Sequence, residues 1–351
     1  MKSGSHKLTR RQFLKLSGAA ATASLLAGCG FDEQPAATPT SGPSETAGAT
    51  DTPATVADTR RPEIVRFYPD VPSKVVHTHH AGVWASDELA LEALQQILDT
   101  SITELTGLTD AADAWESLFA PDERVAIKVN AGWFGTHVPL VTAVTERLQE
   151  AGIPPEQIFI FEDHTDRLED AGFTINTDGP GVRCYGDAGW HPTKWNLIDT
   201  DVKLNSILLN CDALINMPIL KGHSIAGITF ALKNHYGSFN KPSAFHPPRL
   251  DRGIAELNAL PPLKERTRLV IGDALEVNAR RIRRGDSIFM SFDPVAHDAV
   301  GLQVYCALLA SAERSTEAAV QLANGWLGTA AGLGVGTNDL DNINLVEVNL
   351  E

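Results

Sequence analysis

Cysteine is scarce in this chain. Only Cys29, Cys184, Cys211 and Cys306 occur, and no Cys-x-x-Cys is present. That excludes a cysteine-ligated iron–sulfur cluster or zinc ribbon within the chain. Basic charge is also short, with 29 Lys+Arg against 44 Asp+Glu and a formal net charge of −15. No basic stripe relieves it, so a phosphate backbone is repelled and nucleic acid is excluded as a partner. There is no internal repeat. The glycines between Gly328 and Gly336 do not form G-x-G-x-x-G after a strand, which removes a dinucleotide fingerprint there.

The N-terminus reads as an address. Arg10 and Arg11 in TRRQFLKL precede the small-residue apolar run SGAAATASLLAG, which is too short to span a bilayer and fits a signal h-region. The twin arginines predict Tat export. Leu26-Ala27-Gly28-Cys29 resembles a bacterial lipobox, whose cysteine takes a diacylglycerol after cleavage. Residues 1–29 are therefore expected to be a Tat signal peptide ending at the lipidated Cys29. Residues 30–61, rich in Thr, Pro and Ala, are expected to be a disordered tether. The predicted location is the outer face of the bacterial cytoplasmic membrane, held by the lipid. Losing Lys2, Lys7, Arg10, Arg11 and Lys15 takes the formal charge from −15 to −20. With Cys29 lipidated, a single disulfide such as Cys184–Cys211 is compatible with an oxidising compartment.

Residues 62–351 are long enough for one large domain. Strands are predicted at Lys74–His79, Arg124–Asn130, Gln157–Asp163, Gly181–Tyr185, Ser206–Asn210, Ala213–Asn216, Arg268–Asp273, Ser287–Asp293 and Ile343–Val348. Helical periodicity marks Asp87–Leu105 and Val138–Ala151, then a segment from Asp293-Pro294 toward Ala312, and Glu317–Trp326. Strands that are nearly continuously apolar and alternate with helices predict an α/β fold. Its central sheet should be mostly parallel, with helices on both faces. Five apolar runs end in a polar residue: Asn130, Asp163, Asn216, Asp273 and Asp293. In such sheets ligands bind beyond the carboxyl ends of the strands, so these side chains are expected to face one crevice. The competing reading is that they cap helices, which Asp293 before Pro294 suits best.

The densest chemistry lies in Asp212–Gly237, DALINMPILKGHSIAGITFALKNHYG. Lys221, His223, Ser224, Thr229, Lys233, Asn234 and His235 crowd around glycine-punctuated turns, at a cost that implies a purpose. A helix through this segment would place Thr229 and Lys233 on one face, with Ile225, Ile228 and Leu232 opposite. Lys221 and His223 at its entry would add cationic groups to free backbone N–H groups, making an anion pocket. Lys128 and Asn130 share a face of VAIKVN, and a lysine in so apolar a run needs a carboxylate or a ligand. His77 and His79 of HTHH also share a face and are weighed as metal ligands. Trp190 and Trp195 are read as loop residues, and Lys241–Pro248 as a loop able to act as a lid. Gly222-His223-Ser224-Ile225-Ala226-Gly227 departs from G-x-S-x-G by one residue. Only His297 follows Asp273 and no histidine follows Asp298, so a serine hydrolase is a weak alternative.

Together these segments resemble the domain-of-unknown-function 362 family. The resemblance runs from about Val75 to Gly301. It rests on VAIKVN, IFIFED, the central NMPILKGHSIAGITFALKNHYGS, LVIGDAL and SFDPVAHDAVG. It implies an α/β fold and is compatible with Tat export, but implies no particular reaction. Many relatives append a ferredoxin module whose cysteines are missing here, so electron transfer through an own cluster is not carried over.

The resulting expectation is a membrane-tethered protein binding a small anionic molecule or a metal-linked cofactor. Lys128, Lys221 and Lys233 would neutralise the ligand, and Asn130, Asn216, Thr229 and Asn234 would orient it. His223 and Lys233 would be catalytic, in a redox-linked or metal-assisted enzyme. Asp163, Asp273 and Asp298 would hold a divalent metal or position the lysines. The alternative from another class is a non-catalytic lipoprotein that captures a metal or small anion for a membrane partner.

Overall fold

The computed structural model describes residues 71–351. The signal peptide, Cys29 and the whole of the tether lie outside the described residues. Among the described residues there are fourteen strands: β1 (Ser73–His80), β2 (Trp84–Ala85), β3 (Glu88–Leu89), β4 (Val125–Val129), β5 (Ile158–Phe161), β6 (Arg183–Cys184), β7 (Trp190–Leu197), β8 (Thr200–Asn205), β9 (Ala213–Met217), β10 (Ile219–His223), β11 (Gly227–Thr229), β12 (Thr267–Asn278), β13 (Ile282–Ser291) and β14 (Ile343–Leu350). Ten of them form one sheet in the order β14-β1-β13-β12-β9-β4-β5-β6, with β10 and β11 continuing beside β12. Most neighbours pair in parallel; β13 and β11 run against the rest. The fold is α/β with a mostly parallel central sheet, as the patterning predicts.

Alternation along the strands builds two apolar layers. Val125, Ile127 and Val129 face one side with Ile215, Met217, Leu269 and Ile271. Helices Leu91–Thr106, Ala111–Leu118 and Val138–Glu150 cover that side. Ala126, Phe161 and Leu214 face the other, under helices Leu250–Ala259, Pro294–Ala310 and Glu317–Gly332. The period of two therefore sends Lys128 and Asn216, which sit side by side in the β4–β9 register, into this second layer. Every residue of β4 and β9 is buried, as a parallel sheet covered on both faces requires.

Three expectations are corrected. Ser206–Asn210 is not a strand: Asn205 Oδ1 accepts from Ile207 N at 2.8 Å and starts the short helix Ser206–Leu209. Trp190 and Trp195 lie on β7 of a two-stranded sheet with β8, not in a loop. Helix Glu317–Gly332 runs on past Trp326 through its glycines. A Cβ at Gly325 would overlap the Asp251 carboxylate, so that glycine permits close packing rather than ending the helix.

Candidate functional site

Pro218 interrupts the chain between β9 and β10, yet both strands pair with β12, β9 along its first half and β10 further on. Beyond His223 the chain reverses into β11, so the expected continuous helix is a hairpin followed by the short helix Ala231–Asn234 and a 3-10 turn at His235–Gly237. Gly227 makes the reversal with φ of +81°, where a side chain would also strike helix Glu317–Gly332. Thr229 is thus a strand residue. It still joins the site, because it lies directly across the hairpin from Lys221. Its hydroxyl is buried without a partner.

The three carboxamides form one chain of hydrogen bonds. Lys221 Nζ donates to Asn130 Oδ1 at 2.9 Å and to the Phe134 carbonyl at 2.6 Å. Asn130 Nδ2 donates to Asn234 Oδ1 at 3.4 Å, and Asn234 Nδ2 to Asn216 Oδ1 at 2.8 Å. Asn216 Nδ2 ends on the Ala231 carbonyl at 2.9 Å. Asn130, Asn216 and Asn234 therefore converge as predicted, but they hold the protein's own groups. Their partners are Lys221, each other and the helix carrying Lys233.

Lys128 is corrected from ligand contact to internal ion pair. It is wholly buried, donates to the Val129 carbonyl at 2.6 Å, and pairs with Glu162. Burial holds the Glu162 carboxyl above its ordinary value, and the Lys128 ammonium offsets only part of that rise. Gly237 makes room for this carboxylate, since a Cβ there would overlap it. Glu162 escaped the sequence reading because IFIFED ends in two acids and the strand-end rule favours Asp163. The buried lysine on the neighbouring strand was the available signal. His235 lies beside the pair, bonded to Ser238 Oγ at 3.1 Å; burial, then the Lys128 charge, lower its pKa to about 3.

Lys221 and Lys233 differ from Lys128. Both are half-buried, and among the described residues neither forms an ion pair with a carboxylate. Lys233 Nζ sits 4.7 Å from the centre of the Tyr236 ring. Burial lowers the pKa of Lys233 to about 8. Burial, and then the charge of Lys233, lower Lys221 to about 8 as well. His223 falls to about 4 through burial and the charges of Lys233, Lys221 and His246, so it is neutral at pH 7. These effects place both ammonium groups and the imidazole in one field. His246 comes from the proline-rich loop and stacks on Tyr236 at 6.3 Å, so that loop does border the cluster. Phe245 anchors it in the core, and Tyr236 Oη donates to the Phe245 carbonyl at 3.0 Å.

The three aspartates expected to share a metal have separate partners. Asp163 accepts two bonds from Arg167 at 2.8 Å. Asp273 follows Leu269 and Ile271 onto the opposite face of the sheet, where it accepts from His137 N and pairs with His137 Nδ1, each at 2.8 Å. Asp298 accepts from Ala231 N at 2.7 Å and Leu232 N at 2.9 Å, and pairs with His297 Nδ1 at 2.9 Å. The N-terminus expected to attract a ligand anion therefore already holds an internal one. Among the described residues no group of three His, Cys, Asp or Glu is placed to bind a metal. His77 stacks on Phe289 at 4.1 Å, His79 approaches Asp286 at 3.8 Å, and His80 bonds Gln96 at 3.0 Å.

The capping reading of Asp293 holds, and the weaker alternatives are decided by equally local reasons. Because β13 runs antiparallel to β12, Asp293 emerges at the far end of the sheet. There it caps helix Pro294–Ala310 through Val295 N and Ala296 N and accepts from Ser73 Oγ at 2.6 Å. Ser224 sits exposed in the hairpin turn, while Asp273 and Asp298 are engaged elsewhere, so no triad forms around it. Cys184, Cys211 and Cys306 are free thiols, with no disulfide among them. His137, unforeseen from sequence, closes the loop after β4. Burial opposes its charge, but Asp273 and Glu276 outweigh that and raise its pKa to about 9.

The fold and cluster define an α/β protein with a cationic, amide-braced site at the strand ends. Residues 125–303 match the family model described as Domain of unknown function (DUF362), and the chain belongs to that family. The search of curated proteins finds no match. Among solved structures, a protein from Thermotoga maritima is similar at 12% identity and TM-score 0.37, over 68% of this chain and 60% of that one. The lactate racemase apoprotein from Thermoanaerobacterium thermosaccharolyticum is similar at 9% identity and TM-score 0.37, over 66% and 56%. The chain spans less than two thirds of the length of either.

Proposed function

We propose that this protein binds a small anion between Lys221 and Lys233 and performs acid–base chemistry on it with His223. The observation that carries the reading is a pair of half-buried ammonium groups without a carboxylate partner, in a chain with 44 acidic residues to 29 basic ones. Two uncompensated charges held partly out of water are stabilised by an anionic guest. Burial, and then their field, keep His223 unprotonated at neutral pH, ready to accept a proton from a bound substrate. Thr229 adds a hydroxyl that lacks a partner on the same face as Lys221. The protein works, on this reading, at the outer face of the cytoplasmic membrane, exported by the Tat route and anchored through Cys29.

Calorimetric titration with succinate, pyruvate and inorganic phosphate tests the binding step. At least one should bind, and Lys221→Gln or Lys233→Gln should each weaken it about tenfold or more, as loss of a charged hydrogen bond does. Asn130→Asp should weaken it comparably by giving Lys221 an internal carboxylate. Isotherms unchanged in all three folded variants would refute the assignment.

A further inference from the structure

The two lysines are held differently, and the difference separates their roles. Lys221 Nζ is fixed by two donated hydrogen bonds, to Asn130 Oδ1 and the Phe134 carbonyl. Lys233 Nζ has only the face of Tyr236 and makes no hydrogen bond among the described residues. An amine tied to two acceptors has little freedom to turn its lone pair toward a ligand, whereas one with no hydrogen-bond acceptor can present it once the proton is lost. Neighbouring cations and burial are the conditions that make a lysine nucleophilic.

We propose that Lys233 forms an imine with the carbonyl carbon of a 2-oxo acid whose carboxylate is held by Lys221. The inference rests on the anion-binding reading and deepens it, naming the ligand class. The neutral Lys233 amine attacks the carbonyl carbon. A C–N bond forms, and the carbonyl π pair moves to oxygen, which takes a proton. Both protons come from the nitrogen, carried in turn by His223: the first makes the hydroxyl, and the second lets it leave as water as the C–O bond breaks and the nitrogen lone pair closes the C=N bond. Amine plus ketone thus becomes imine plus water, with no oxidant or reductant required. Lys221 and Lys233 both have a pKa of about 8 and are roughly one-tenth free base at pH 7, and Lys233 is the one whose nitrogen has no hydrogen-bond acceptor among the described residues. An ordinary lysine is free in less than about one part in a thousand. The exposed Lys194 serves as an internal control.

The full chain is incubated at pH 7 with glyoxylate and cyanoborohydride, and reduced adducts are located by peptide mass spectrometry. Glyoxylate is the smallest 2-oxo acid, so it enters any site open to a larger one. Labelling of Lys233 is expected to exceed that of Lys194 at least about tenfold. It should fall about tenfold in Lys221→Gln, be retained in Lys221→Arg and vanish in Lys233→Arg, each variant first shown to unfold like the parent. Labelling of Lys233 no greater than that of Lys194 overturns the imine. If succinate still binds in a Lys221-dependent manner, only the imine falls. If it does not, the anion site falls as well.

Discussion

Replacing Lys128 with Met should expose the energetics of the network most directly. The side chain is wholly inaccessible, and its partner Glu162 is 6% exposed. Methionine fills a similar volume, so the loss is electrostatic: a buried carboxylate is left without its counter-ion. Breaking such a pair costs about 3–5 kcal/mol, whereas replacing both partners with neutral groups is often close to neutral. Lys128→Met should therefore lower stability by about 3–5 kcal/mol, while Lys128→Met with Glu162→Gln recovers most of it. In a domain of this size each kcal/mol moves Tm by about 2 °C, so the single variant should melt about 6–10 °C early. Urea unfolding of the parent, both single variants and the double variant closes the cycle. If Lys128→Met is as stable as the parent, or the double variant falls by the sum of the single losses, the buried pair does not exist as described.

Two further predictions concern separate regions. His137 has a pKa raised from 6.5 to about 9, so its contribution to stability is complete below pH 6.5 and is lost as pH rises through 9. The shift corresponds to about 3 kcal/mol at most, and His137→Gln should flatten the stability profile across that window; a profile unchanged by the substitution would contradict the clamp. At the other end of the chain, Cys29→Ala should move the protein from the membrane fraction to the soluble exported fraction when fractions are blotted; unchanged membrane association would count against the lipid anchor.

The fold was largely legible because its signals are local. VAIKVN, IFIFED and ALIN announce buried parallel strands by composition alone, and Asp293-Pro294 marks a helix start that the structure retains. The approach of Asn130 and Asn216 was also readable, since both lie at or just beyond strand ends, and Asn234 joins them from the end of helix Ala231–Asn234. What stayed hidden depends on direction and face. Nothing in FMSFD reveals that β13 runs backwards, and this removes Asp293 from the site. One residue of parity sends Asp273 to the other layer. The central hairpin was misread as helix because Ile225, Ile228 and Leu232 fit a helical spacing by coincidence, while Gly227 required the turn. Asp298 looked like a metal ligand, because sequence cannot show that its oxygens are already taken by the Ala231 and Leu232 amides.

The amide chain also has a polarity. From Asn130 through Asn234 to Asn216 and on to the Ala231 carbonyl, each group passes its hydrogen in one sense, which leaves the Asn130 oxygen to accept from Lys221. Reversing any single link would press oxygen against oxygen on one side and hydrogen against hydrogen on the other. Because the Ala231 carbonyl at one end can only accept and the Lys221 ammonium at the other can only donate, the three amides have a single satisfied setting.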